Sequence, residues 1–241
     1  MRKHALALLL GPLCLALSAA PALAQGDWDD EEDGGELDRV REGFFFGATA
    51  NYAIDNFSLP DTGGFFGAAG RDFDRAGIAD SWGFSLRGGW RFNRFLAAEG
   101  QFEYENEFAF HGNDVGVSRS TELATLKTLA FTANARGYVP GAGVLDGWLQ
   151  PYGVAGFGLM HTIQRPTDDG IREAEESGTN LGSVTSTYRT GPALRAGIGF
   201  DIYGYGSDAA GVNIETSYVV GLGDVWQYQY WVTNFGLFYR W

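Results

Sequence analysis

The chain has 241 residues, 17 basic against 30 acidic, a formal charge of −13, 15% aromatic content, 36 glycines and one cysteine. Such an acidic balance excludes a nucleic-acid binder, which needs a basic footprint. The lone Cys14 excludes a disulfide framework and any cysteine-ligated metal.

Residues 1–24 read as a secretory signal peptide. Arg2, Lys3 and His4 form a basic start, and Ala5 to Leu17 is an apolar core too short to span a bilayer. Ala22-Leu23-Ala24 fits the small-x-small cleavage rule, which places the mature start at Gln25. Cys14 falls inside this segment, and Leu13 before it does not suit a lipoprotein cleavage site. Cleavage takes Arg2 and Lys3 away and brings the formal charge to −15. Residues 25–42, QGDWDDEEDGGELDRVRE, are acidic and poor in apolar side chains, so they read as a flexible lead-in. A calcium site from Asp29, Asp30, Glu31, Glu32 and Asp33 is conceivable there, but a solvated charge run explains the same residues.

From Gly43 onward the pattern has period two, the signature of strands. In the first strand, Gly43 to Phe57, Phe44, Phe46, Ala48, Ala50, Tyr52 and Ile54 share a face. Ser58 to Ser81 is a long loop by its turn residues. The second strand, Trp82 to Phe92, sets Trp82, Phe84, Leu86 and Trp90 against Arg87 and Arg91. After the turn Asn93-Arg94, the third strand runs from Phe95 to Phe110. Strict alternation puts Phe102, Tyr104 and Phe108 on one face and Glu99, Gln101, Glu103, Glu105 and Glu107 on the other. His111 to Thr121 is a polar loop.

The fourth strand, Glu122 to Tyr138, opposes Leu129 and Phe131 to Asn134 and Arg136. A short turn leads to the fifth, Trp148 to Gln164, whose glycines and alanines leave its phase ambiguous. Arg165 to Thr185 reads as a third long loop. The sixth strand, Ser186 to Tyr203, opposes Leu194, Ile198 and Phe200 to Arg195 and Asp201. The seventh, Ala210 to Val220, opposes Ile214 and Tyr218 to Glu215. The last, Tyr228 to Trp241, carries Trp231, Phe235, Leu237, Tyr239 and Trp241 on one face and stops on an aromatic.

Eight strands, long connections alternating with short ones, and aromatics at strand ends predict an all-β fold: an eight-stranded antiparallel up-and-down transmembrane β-barrel over residues 43–241. Period alone does not say which face is inside. A soluble lipocalin-like periplasmic carrier would bury the aromatics and expose the charges. It would then have to fit Trp82, Phe84, Leu86 and Trp90 inside a narrow barrel.

The segments PYGVAGFG (residues 151–158), GIGFD (residues 197–201) and the terminal FGLFYRW (residues 235–241) resemble the small OmpA/OmpX-like family of outer-membrane barrels. The chain departs from the family's commoner pattern by ending in Trp where Phe is usual, and no peptidoglycan-binding domain follows the barrel. The resemblance implies an outer-membrane location in a Gram-negative bacterium. It also implies contact with lipid bilayer and lipopolysaccharide, and recognition of the C-terminal strand by the barrel-assembly machinery.

With the polar face inside, Arg87, Arg91, Arg136 and Arg195 share the lumen with Glu99, Glu103 and Glu215, while Glu105 on the same face falls either in the lumen or at the water-exposed rim. Eight strands leave an interior just wide enough for side chains. Unpaired buried charge is costly, so these residues are expected to form a salt-bridged plug. A narrow pore or carrier for small solutes is the alternative from the transport class. A lipid A-modifying enzyme would need a Ser, a His base and an acid. The mature chain holds only His111 and His161, neither in a His-x-Ser arrangement. The loop Asp168-Asp169-Gly170 lacks the spacing of a calcium loop, and no Gly-rich phosphate cradle is present. The expectation is therefore no catalytic residue, no cofactor and no metal. Any ligand belongs to the three long outer loops, because loops on a rigid scaffold carry binding.

Overall fold

The computed structural model describes residues 42–57, 77–111, 122–139, 148–176, 186–203 and 209–241. The expected signal peptide 1–24, nearly all of the acidic segment 25–42, and most of the three expected outer loops lie outside these residues.

The described chain forms β1 (Gly43–Asp55), a two-residue β2 (Gly77–Ile78), β3 (Ser81–Arg91), β4 (Leu96–His111), β5 (Glu122–Tyr138), β6 (Leu149–Pro166), α1 (Asp168–Glu176), β7 (Thr187–Tyr203), β8 (Ala210–Gly221) and β9 (Gln229–Arg240). Each long strand pairs antiparallel with its neighbour in sequence. The last returns to the first, with Asn51 opposite Asn234 and Phe45 opposite Arg240. Closure of eight strands removes the free edges that an open sheet would expose. β2 lies beside the top of β4, with Gly77 opposite His111. Among the described residues no helix is long and apolar enough to cross a membrane; the strands do the crossing.

Both termini of the barrel and the turns between β3 and β4, β5 and β6, and β7 and β8 lie at one end. The opposite end carries the longer connections, which identifies it as the outer end.

The two faces separate cleanly. Trp82 is 66% exposed and Phe235 52%, whereas Arg87 is 2% exposed and Glu215 0%. The apolar face therefore looks out and the charged face in, which rules out the lipocalin-like arrangement. Aromatic rings cluster at both rims. Phe44, Tyr239 and Trp241 meet at the periplasmic end; Tyr52 with Trp82, and Tyr218 with Trp231, meet toward the outer end. Aromatic belts at the two interfaces of an apolar wall are how a barrel sits in lipid.

Two expectations need correction. Phe108 faces the lumen, fully buried, and Glu107 faces out. A β-bulge between Glu105 and Phe108 inserts one extra residue in β4, since Glu105 pairs with Thr128 and Phe108 with Leu126. One extra residue reverses the side on which every later side chain falls. The second correction concerns Arg165 to Thr185, which is not all loop. β6 continues to Pro166 and α1 follows. Thr167 Oγ1 accepts from the Gly170 amide at 3.0 Å, a side-chain cap, and Asp168 and Asp169 occupy the first turn, where the helix dipole favours negative charge.

Candidate functional site

The lumen is the feature that the fold builds with most polar chemistry. Its side chains stack in levels from the periplasmic end upward.

At the lowest level, Arg91 from the end of β3 lies over the Tyr138 ring at 3.8 Å. It donates to Gln150 Oε1 at 2.8 Å and Tyr203 Oη at 3.3 Å, and to the carbonyls of Asn93 and Arg94 in the adjacent turn. Arg240 of β9 lies 5.3 Å from the Tyr203 ring centroid. Guanidinium groups stack well on aromatic faces, so two arginines and two tyrosines form this floor.

One level up, Arg136 of β5 bridges Glu99 at 2.8 Å, Glu215 at 3.1 Å and Asp201 at 3.7 Å, with its guanidinium 4.4 Å from the Tyr152 ring. Tyr152 needs room to lie there. Gly199 supplies it, since a Cβ at that position would stand 2.5 Å from the tyrosine ring.

Glu215 of β8 is the hub of the middle level. Arg87 from β3 reaches it at 3.3 Å and Arg195 from β7 at 2.9 Å. Tyr152 and Ser217 also donate to it, at 2.9 and 2.8 Å. Arg195 turns its other nitrogen to Glu103 at 2.6 Å, and Tyr230 donates to the second oxygen of Glu103 at 2.7 Å. Amides fill the gaps: Asn213 accepts from Arg87 and donates to Asp201, and Asn134 donates to Glu99. All of these ions are buried. Several guanidinium–carboxylate contacts with added hydroxyl and amide donors meet the condition under which buried ions are tolerated.

Glu105 closes the polar column differently. One oxygen accepts from Asn51 at 2.9 Å; the other has no hydrogen-bond partner among the described residues. The carboxyl lies over Gly83, where a Cβ would come within 2.6 Å of it.

Above the bulge the lumen changes character. Ala53, Phe108, Phe110, Ala124, Leu126, Met160, Val219, Val225, Tyr228 and Val232 form one buried apolar cluster, joined by Phe57 and Ile78. Phe57 packs edge-on against Phe108 and Tyr228.

All seven charges singled out in the sequence, Arg87, Arg91, Glu99, Glu103, Arg136, Arg195 and Glu215, are buried within the lumen. Six join one network, while Arg91 sits in the floor beneath it. Sequence reasoning did not name Asp201 and Arg240 for the lumen and placed Glu105 on the polar face without making it part of the network; the structure buries all three. The two histidines do not meet. His161 faces outward on β6, with Nδ1 2.7 Å from Thr190 Oγ1 and its ring stacked on Tyr188. His111 pairs through its backbone with Gly77 and Glu122. Among the described residues no group of His, Asp and Glu could hold a metal ion.

Neisserial surface protein A superposes with a TM-score of 0.53 at 13% identity, covering 83% of this chain and 97% of that one. The outer membrane protein OprG from Pseudomonas aeruginosa superposes at 0.50 with 17% identity, covering 84% and 98%. The fold is that of a small outer-membrane β-barrel. No family model matches the sequence, and no curated protein matches it significantly. The apolar outer wall and the aromatic rims agree with the superpositions: this is an integral outer-membrane barrel.

Proposed function

We propose that the chain is a non-enzymatic barrel with a structural or surface-interaction role, its lumen plugged by its own side chains. The observation that carries this reading is the vertical continuity of the lumen. The Arg91–Tyr138 floor, the Glu215 hub and the Phe108 cluster occupy successive levels of one closed eight-stranded lumen. A barrel closed in this way serves as a platform, and its variable chemistry lies in the connections 58–76, 112–121 and 177–185 at the outer end, which fall outside the described residues. Contact with lipopolysaccharide on that side, and assembly through the C-terminal strand, belong to the same reading. A neighbour whose name is a surface protein, at 13% identity, is consistent with it.

Conductance in planar bilayers tests the plug. The intact protein should give no steps above baseline, and regular unitary steps would favour the pore alternative. Adhesion of expressing cells to immobilised matrix, compared with cells carrying a barrel whose outer connections are shortened, tests the surface role; equal adhesion would remove it. His161, bonded to a threonine on the outer wall, offers no support for an envelope-lipid enzyme. Lipid A mass spectra should be unchanged by expression.

A further inference from the structure

The outer wall is apolar over most of its height, and its few cations are not scattered. Among the described strand residues, the arginines other than Arg165 fall on inward positions or at the turns, and the basic side chains on outward positions are Lys127 and Arg165. Both lie in one sector, on adjacent strands. Lys127 of β5 is opposite Ile163 of β6, Thr125 is opposite Arg165, and Leu129 is opposite His161. On the other side of β6, His161 is opposite Thr190 and Ile163 opposite Tyr188.

The height of this group matters as much as its charge. Below it the outward side chains are Phe131, Phe157, Leu159 and Leu194, all strongly exposed and apolar. Above Leu129 and Leu159 polar side chains enter the outward positions: Lys127 on β5, His161 and Arg165 on β6 with Ile163 between them, and Thr190 on β7. Lys127, His161 and Arg165 therefore stand at the level of lipid headgroups on the outer side, around Ile163, with Tyr188 as the aromatic edge typical of that depth. Two cations and an imidazole in so acidic a chain, at that level and in one sector, complement a phosphate better than a neutral headgroup. The carboxylates nearby are Glu107, 3.1 Å from Lys127, and Asp169, which is engaged by Arg172 at 2.7 Å; Asp168 begins α1. Arg165 has no carboxylate within ion-pair distance among the described residues and is exposed.

We infer that Lys127, Arg165 and His161 form an outer-wall site for a phosphate of a glycolipid in the outer leaflet. The inference rests on the outer-membrane reading given above and adds to it a place and a chemistry. Lys127 and Arg165 hold the phosphate as charged donors, His161 is the neighbouring donor, Ile163 and Tyr188 flank the phosphate in the row of Lys127, and Leu129 and Leu159 lie on the membrane side of it.

The test uses full-length mature protein in phosphatidylcholine nanodiscs doped with bisphosphorylated lipid A or its enzymatically dephosphorylated form. Lipid retained on the protein is counted by native mass spectrometry. Wild type should retain the phosphorylated form about tenfold better than the dephosphorylated one. The double variant Lys127→Gln/Arg165→Gln should lose that preference, while Arg172→Gln, a change on α1, should keep it. Equal retention of both lipids by wild type, or an undiminished preference in the double variant, overturns the site. Heat-modifiable gel migration reports folding in each case. A protein that never enters the bilayer would overturn the outer-membrane reading itself, whereas insertion without phosphate preference overturns only the site.

Discussion

The lower and upper halves of the lumen are enclosed by the same eight strands, yet they are filled by opposite chemistry. The lower half stacks Arg87, Arg136 and Arg195 against Glu99, Glu103 and Glu215. The upper half packs Phe108, Leu126, Met160 and Tyr228 like the inside of a soluble domain. The boundary coincides with the bulge in β4, immediately above Glu105. A closed cylinder of this width can be filled in either way, but the two ways fail differently. Ion networks lose most when one member is removed and the others remain charged. Apolar packing loses in proportion to the volume deleted.

The largest effect should come from Glu215→Gln, which leaves Arg87, Arg136 and Arg195 short of their shared partner; a loss of about 3–5 kcal/mol is expected. Urea titration of the folded barrel, followed by heat-modifiable migration, measures it. Arg195→Met should cost nearly as much, because it strands Glu103 and one oxygen of Glu215. Adding Glu103→Leu to it should recover part of that loss, since one abandoned charge is then removed as well. A double variant worse than the sum of the single changes would show that the lower half is not a paired network. In the upper half, Leu126→Ala or Met160→Ala should cost about 2–4 kcal/mol by leaving a cavity, with little dependence on salt. The smallest change belongs outside both halves. Glu107→Gln breaks only a half-exposed pair with Lys127 and should shift the urea midpoint by less than about 1 kcal/mol equivalent.

The lower half was far more legible in the sequence than the upper. Period-two alternation separates Arg87 from Leu86 and Glu215 from Ile214 with no knowledge of register, because each residue's side is set by its immediate neighbours. The partners of each charge were not legible. Arg87 meets Glu215 across 128 positions of sequence, and stagger decides such meetings. The upper half stayed hidden for a different reason. Counting by twos from Glu105 carries Phe108 to the outside, and nothing in Asn106-Glu107 announces an inserted residue. Helix α1 had a visible signal in Thr167 followed by two aspartates, but it stands in a long acidic stretch rich in Gly and Ser, a composition that reads as a loop.

The hub at Glu215 also bears on how such a molecule can be made. Its three guanidinium partners come from β3, β5 and β7, so they gather around one carboxylate only when the first and last strands have met. In a partly zipped sheet Arg136 and Arg195 can still reach Glu99 and Glu215 on the strands beside them, whereas Arg87 has no carboxylate of the hub within reach. Joining β1 to β9 is thus what completes the hub, because Arg87 and Glu215 stand on opposite sides of that seam.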